Sequence, residues 1–238
     1  IELDLWQRNL YTPIRKGVFM FDDIDDLDDG SEADDPPIRS LHDIIGEEEE
    51  TAPPKDKVQW TNAGDSTYLA IGQSKKKLKS GIYVAVSYKR QTALRKVELN
   101  FDELIYFKDS IIHKILEEVR GFWETEEKFK ALGFLHKHGI LLWGTQGGGK
   151  TSLLYMIMQD IVRRGGLAIV CENPYNLTEA IRDLRKVEPD RNIVCVFEDI
   201  DAIIKEYGDK ELLAFLDGEV QVNRVLNIAT SNYPETLD

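Results

Sequence analysis

Eight residues, Gly144-Thr-Gln-Gly-Gly-Gly149-Lys150-Thr151, constrain this chain more than any other stretch. They fit G-x-x-x-x-G-K-[ST] without a mismatch. An apolar run, His138–Trp143, precedes them and an amphipathic run, Leu153–Val162, follows. That context matters, because the pattern carries its meaning only between a strand and a helix. Glycines let the backbone curl so that successive N–H groups face an anion. The start of the helix adds partial positive charge. A lysine at position 150 reaches the β- and γ-phosphates of a nucleotide, and the Thr151 hydroxyl is placed for Mg²⁺.

The rest of the C-terminal half alternates in the same way. Strands are predicted at His138–Trp143, Leu167–Cys171, Ile193–Phe197 and Val225–Ala229, with helices between them. Alternation of this kind implies an α/β fold with a doubly wound parallel sheet. Ile140-Leu-Leu-Trp143 and Ile193-Val-Cys-Val-Phe197 are near-continuous apolar runs, as strands covered on both faces require. Ahead of them, Ser110–Leu132 reads as helix, with Ile111, Ile112, Ile115, Leu116, Val119, Phe122 and Trp123 recurring every three or four residues. Cys171 and Cys195 fall inside strands, which predicts reduced core thiols.

Two further clusters stand at the ends of predicted strands. Glu198-Asp199-Ile200-Asp201 ends the apolar run that lies 48 residues beyond Lys150. Carboxylates at the carboxyl end of a central strand sit beside the phosphate loop. One is suited to hold Mg²⁺ through its water shell, and the next to polarise an attacking water. Ala229-Thr230-Ser231-Asn232 ends another strand. Its amide can reach the γ-phosphate, although Asn before Pro234 also favours a turn.

Charge divides the chain. Of its 238 residues, 43 are Asp or Glu and 30 are Lys or Arg. Between Asp22 and Asp56 there are 15 acids against Arg39 and Lys55, a net −13, so the remainder balances at 28 acids and 28 bases. Residues 22–56, rich in Asp, Glu and Pro, are expected to be largely disordered or loosely attached, with the short apolar stretch Ile38–Ile45 able to dock or to form one helical turn. The balanced body argues against a broadly basic nucleic-acid surface. No run of about 18 apolar residues is present, so no membrane helix is expected. Residues 57–100 read as a small β-rich module, with Thr67–Gln73 and Gly81–Tyr88 as a hairpin and Ala93–Leu99 as a third strand. Lys75, Lys76, Lys77 and Lys79 would form its solvated tip, or contact an acidic peptide or nucleic acid. The expected organisation is therefore 1–56 as an N-terminal segment, 57–100 as the β-rich module and 101–238 as the α/β core.

Together the three motifs resemble the AAA family of ATPases, over roughly Phe101 to Asp238. Leu212-Leu-Ala-Phe-Leu-Asp217-Gly218 is similar to the family's L-L-x-x-L-D-G helix, and Ala229–Asp238 to its second region of homology. The order Glu198-Asp199, rather than Asp-Glu, is similar to the branch that contains the mitochondrial chaperone assembling respiratory complex III. Phe122–Phe129 followed by Gly133–Ile140 also looks like that branch, as it does like uncharacterised phage and bacterial AAA proteins.

The resemblance implies ATP and Mg²⁺ as cofactors. It implies catalytic roles for Lys150, Asp199 and Asn232 and metal contacts from Thr151 and Glu198. Nucleotide binding falls to Gly144, Thr145, Gln146, Gly147, Gly148, Gly149, Lys150, Thr151 and Ser152. It further implies a homo-hexamer or similar ring, in the cytoplasm, that remodels, unfolds or translocates a protein substrate. Tyr175 is either the pore residue that grips the substrate or part of a turn capping the next helix. The family's arginine fingers, last core strand and lid would follow Asp238, so the core reads as C-terminally incomplete. Two other readings stay open: a DNA-transaction ATPase of helicase or clamp loader type, and a nucleotide-binding scaffold without turnover.

Overall fold

The computed structural model describes residues 17–20, 59–64, 67–71, 74–88, 90–98, 110–144, 148–217 and 222–233. Nine strands and six helices are described there. The strands are β1 (Gly17–Met20), β2 (Gln59–Gly64), β3 (Thr67–Ile71), β4 (Gly81–Tyr88), β5 (Gln91–Val97), β6 (Lys137–Trp143), β7 (Leu167–Val170), β8 (Ile193–Phe197) and β9 (Val225–Ser231). The helices are α1 (Ser110–Trp123), α2 (Glu126–Ala131), α3 (Lys150–Arg163), α4 (Pro174–Val187), α5 (Ile200–Tyr207) and α6 (Asp209–Asp217).

Seven strands form one sheet in the order β1-β6-β9-β8-β7-β4-β5, parallel except for β5. The four strands predicted around the phosphate loop are its centre. Alternate residues of each feed two cores. On one face Leu142, Val194, Leu226 and Ile228 pack with Ile115 and Val119 of α1 and Leu154, Ile157 and Met158 of α3. On the other, Leu141, Cys195, Phe197 and Ala229 pack with Leu177 and Ile181 of α4, Ile203 of α5 and Phe215 of α6. Both cysteines are free and buried, as expected for core thiols. Among the described residues no helix is long and apolar enough to cross a membrane.

Three expectations are corrected. First, β4 and β5 do not belong to a separate module ending at residue 100; they extend the main sheet beside β7. The reason lies in β4 itself. Ile82 and Val84 join one core while Tyr83 and Ala85 join the other, so this strand is buried on both faces, as a strand of the covered central sheet is and one of a small separate module is not. Second, β3 pairs with β2 in a two-stranded sheet, not with β4, so Lys75 to Lys79 lie on a connection rather than a hairpin tip. Third, Gly17–Met20, in a region without a readable period, pairs in parallel with β6. The helix predicted over 110–132 is divided at Thr125, whose hydroxyl donates to Phe122 O at 2.6 Å. The acidic stretch 22–56, with Ile38–Ile45, lies outside the described residues.

A polar belt ties the amino-terminal ends of the strands. Arg185, at the end of α4, donates through Nη1 to the carbonyls of Glu188 and Arg191, and through Nη2 to those of Asn223 and Arg224. Burial pulls its guanidinium down to about 10, so it stays charged at neutral pH. Glu188 and Arg191 form a buried ion pair at 3.2 Å. Lys137 Nζ donates to Phe215 O and Leu216 O, capping the carbonyl end of α6.

Candidate functional site

The opposite, carboxyl end of the sheet gathers the residues singled out in the sequence. β6 ends at Trp143, and the loop delivers the chain into α3 through Gly149. Gly149 caps that helix with φ 79°, a left-handed backbone that a side chain would strain by about 1–2 kcal/mol. Lys150, the first residue of α3, is buried, and its ammonium donates to Gly144 O at 2.8 Å. That bond folds the charge back across the loop. Ser152 is buried one position after Thr151. Thr145, Gln146 and Gly147 lie outside the described residues.

β8 supplies the carboxylates. Thr151 Oγ1 donates to Glu198 Oε1 at 3.1 Å, so one hydroxyl and one carboxylate oxygen stand side by side. Asp199 follows in a left-handed conformation, φ 48° and ψ 60°, at the cap of α5. Asp is among the few residues that adopt this region readily. Two bonds hold it: its N–H donates to Thr230 Oγ1 at 2.9 Å, and its Oδ1 accepts from Asn232 Nδ2 at 3.2 Å.

Asp201, in the first turn of α5, completes the link to β9. Its Oδ1 accepts from the Ser231 hydroxyl at 3.1 Å and its Oδ2 from the Asn232 N–H at 3.3 Å. The sequence reading gave roles to Glu198, Asp199 and Asn232 and none to Thr230, Ser231 or Asp201. The available signal was their place inside the same two short polar clusters.

Electrostatics follow the packing. Partial burial and the neighbouring Asp201 charge raise the Asp199 carboxyl above its ordinary value, and Lys150 opposes them. Burial, with the Glu198 charge, pushes the Tyr155 hydroxyl up to about 12. Tyr175 is half exposed near the start of α4. The capping turn is present there: Asn173 Oδ1 accepts from Tyr175 N at 2.9 Å, and Pro174 opens the helix.

A parallel sheet with a glycine loop feeding a buried lysine into a helix, and carboxylates at the next strand ends, defines the P-loop class of nucleotide-binding fold. Residues 140–238 match the family model described as ATPase family associated with various cellular activities (AAA). Protein SAV of Sulfolobus acidocaldarius is 30% identical over 149 residues, covering 55% of this chain and 19% of that protein. The probable mitochondrial chaperone BCS1-A of Dictyostelium discoideum is 27% identical over 152 residues, 56% of this chain and 35% of that protein. The probable 26S proteasome regulatory subunit 10B of Caenorhabditis elegans is 27% identical over 247 residues, 88% of this chain and 61% of that protein. The chain thus spans less than two thirds of each of these relatives.

Proposed function

We propose that this chain binds ATP with Mg²⁺, hydrolyses it, and uses the cycle within a ring of copies to remodel a protein substrate. The observation that carries the reading is the pairing at the strand ends. Thr151 meets Glu198 at 3.1 Å while Asn232 meets Asp199 at 3.2 Å. Two oxygens of hard-donor type, side by side, suit a Mg²⁺ ion that keeps several waters and takes its other contacts from phosphates. Thr151 and Glu198 would hold that ion, which supplies charge neutralisation on the transferred phosphoryl group.

The other residues act directly. Lys150 leaves Gly144 O for the phosphate oxygens and places fixed positive charge where negative charge develops. Asp199 accepts a hydrogen bond from the attacking water and orients it, while Asn232 fixes the carboxylate from the other side. The pairings support giving the metal contact to Glu198 and the water to Asp199, in keeping with the Glu-Asp order of the sequence. Exposed Tyr175, beyond β7, is the candidate contact for a polypeptide. Relatives named as a chaperone and as a proteasome regulatory subunit favour a protein substrate.

Lys150→Ala tests the assignment. It should abolish ATP binding or lower turnover at least a hundredfold in the assembled protein, with the fold unchanged by circular dichroism. Wild-type turnover retained in that variant would sink the reading. Salt-dependent stimulation of turnover by DNA would move the substrate assignment to nucleic acid.

A further inference from the structure

Four lysines, Lys75, Lys76, Lys77 and Lys79, stand exposed on the segment that enters β4. None has an ion-pair partner among the described residues. The backbone is anchored among them at Leu78. Leu78 packs against the core that also holds Leu184. Its N–H donates to Glu188 Oε1 at 2.7 Å, and its carbonyl accepts from Arg191 Nη2 at 3.1 Å. Beside the lysines a groove of about 270 Å³ runs between β5 and α4, lined by Lys75, Leu78, Leu94, Ala180, Leu184 and Val187. Val187 is 60% exposed. Two acids that also line the groove are already matched, Asp183 by Lys186 at 2.7 Å and Glu188 by Arg191 at 3.2 Å.

The chain carries a segment complementary to this surface. The whole excess negative charge lies in residues 22–56. Within it Leu41, Ile44 and Ile45 have the spacing of one helical face, and the run Glu47–Glu50 follows directly. Its far end is tethered close by. Gln59 opens β2 and pairs with Ile71, four residues before Lys75. Glu50 is nine residues from Gln59, a reach of up to ~30 Å, and Lys75 is at most ~14 Å from Ile71. A short tether of this kind corresponds to an effective concentration on the order of millimolar.

We propose that residues 38–50 dock in cis on this surface. Leu41, Ile44 and Ile45 enter the groove, and Glu47–Glu50 face Lys75, Lys76 and Lys77. The charge pairing is at the surface, so salt screens it. Held there, the segment competes with any outside acidic ligand for the same lysines.

Zero-length carbodiimide cross-linking of the full chain tests this, with equal parts of isotopically heavy and light protein and mass spectrometry of the products. Amide links from Lys75–Lys79 to Glu47–Glu50 should form within single chains. Their yield should fall at least fivefold in 0.5 M NaCl, and likewise in Val187→Glu, which places a like charge at the groove. Links that join heavy to light chains would overturn the proposal. So would yields no higher than those at exposed Lys128 and Lys205, or an unchanged yield in Val187→Glu.

Discussion

Replacing Asp201 measures how far the end of β9 depends on α5. The carboxylate accepts from Ser231 at 3.1 Å and from Asn232 N at 3.3 Å. Asp201→Ala removes both acceptors. A hydrogen bond to a charged group contributes about 1.5–3 kcal/mol, and the half-buried position argues for the lower end, so anchoring weakens by roughly 3 kcal/mol. Relief of the repulsion between Asp201 and Asp199 offsets part of this loss. The kinetic effect is expected to exceed the structural one. Asn232 must keep its amide near Asp199 Oδ1, now 3.2 Å away. Misplacing a catalytic group by about 1 Å can cost on the order of 10²-fold. We expect kcat to fall roughly 10- to 100-fold, which is about 1.4–2.7 kcal/mol in the barrier.

The affinity for ATP should stay within twofold, because Lys150 and Thr151 are untouched. Asp201→Asn should recover most of the rate. Its oxygen can accept from Asn232 N, and its amide can donate to Ser231 Oγ once that hydroxyl rotates. Single-turnover hydrolysis in the assembled protein, with a fluorescent nucleotide to report binding, reads both quantities. In the Asn232→Ala background Asp201→Ala should add almost nothing, since coupled residues are not additive. A full additive loss there, or an unchanged kcat in the single variant, would refute the reasoning.

Two further outcomes concern the rest of the fold. Arg185→Met leaves four carbonyls without their half-buried donor and should destabilise by about 2–3 kcal/mol, read as a lower urea midpoint. His136 is buried against Phe122, with ring centroids 4.0 Å apart, and burial holds its pKa below 6.5 although the bond to Phe122 O opposes this. Its neutral form is favoured by folding. That contribution is complete above pH 6.5 and is lost as pH falls through the folded value, so stability between pH 7.5 and 5.5 should decline less in His136→Gln than in wild type. Equal slopes would show that the ring does not govern it.

How legible this was differs by element. The four central strands and α3 were readable because continuous apolar runs and a 3.6-residue period report burial directly. The grouping of Thr151 with Glu198 and of Asp199 with Asn232 was readable because these residues stand at strand and helix ends, where polar residues interrupt apolar runs. β4 was misplaced because a hydrophobic strand of eight residues does not reveal whether its partner lies beside it in sequence or across a crossover. β1 has four residues and no period. The clamp made by Thr230, Ser231 and Asp201 depends on two strand ends meeting, a long-range fact that neither cluster states by itself.

The belt at the amino-terminal strand ends gives the sheet a fulcrum. Arg185 and Arg224 fasten the base of β9, since Arg185 binds the carbonyls of Asn223 and Arg224 while Arg224 Nη1 reaches Asp190 O. Asn232 follows the other end of the same strand, where Asp201 and Asp199 hold it. From Val225 to Ser231 the strand is roughly 20 Å long, so a tilt of about 3° at the base swings the tip by about 1 Å. That is the scale on which a hydrogen bond to Asp199 is kept or broken. β9 pairs with β6 over seven residues and with β8 over five, so such a tilt is shared with both neighbours. A small rotation of α6 against Lys137, or a shift of α4 that carries Arg185 with it, would be passed through these strands to the contact between Asn232 and Asp199.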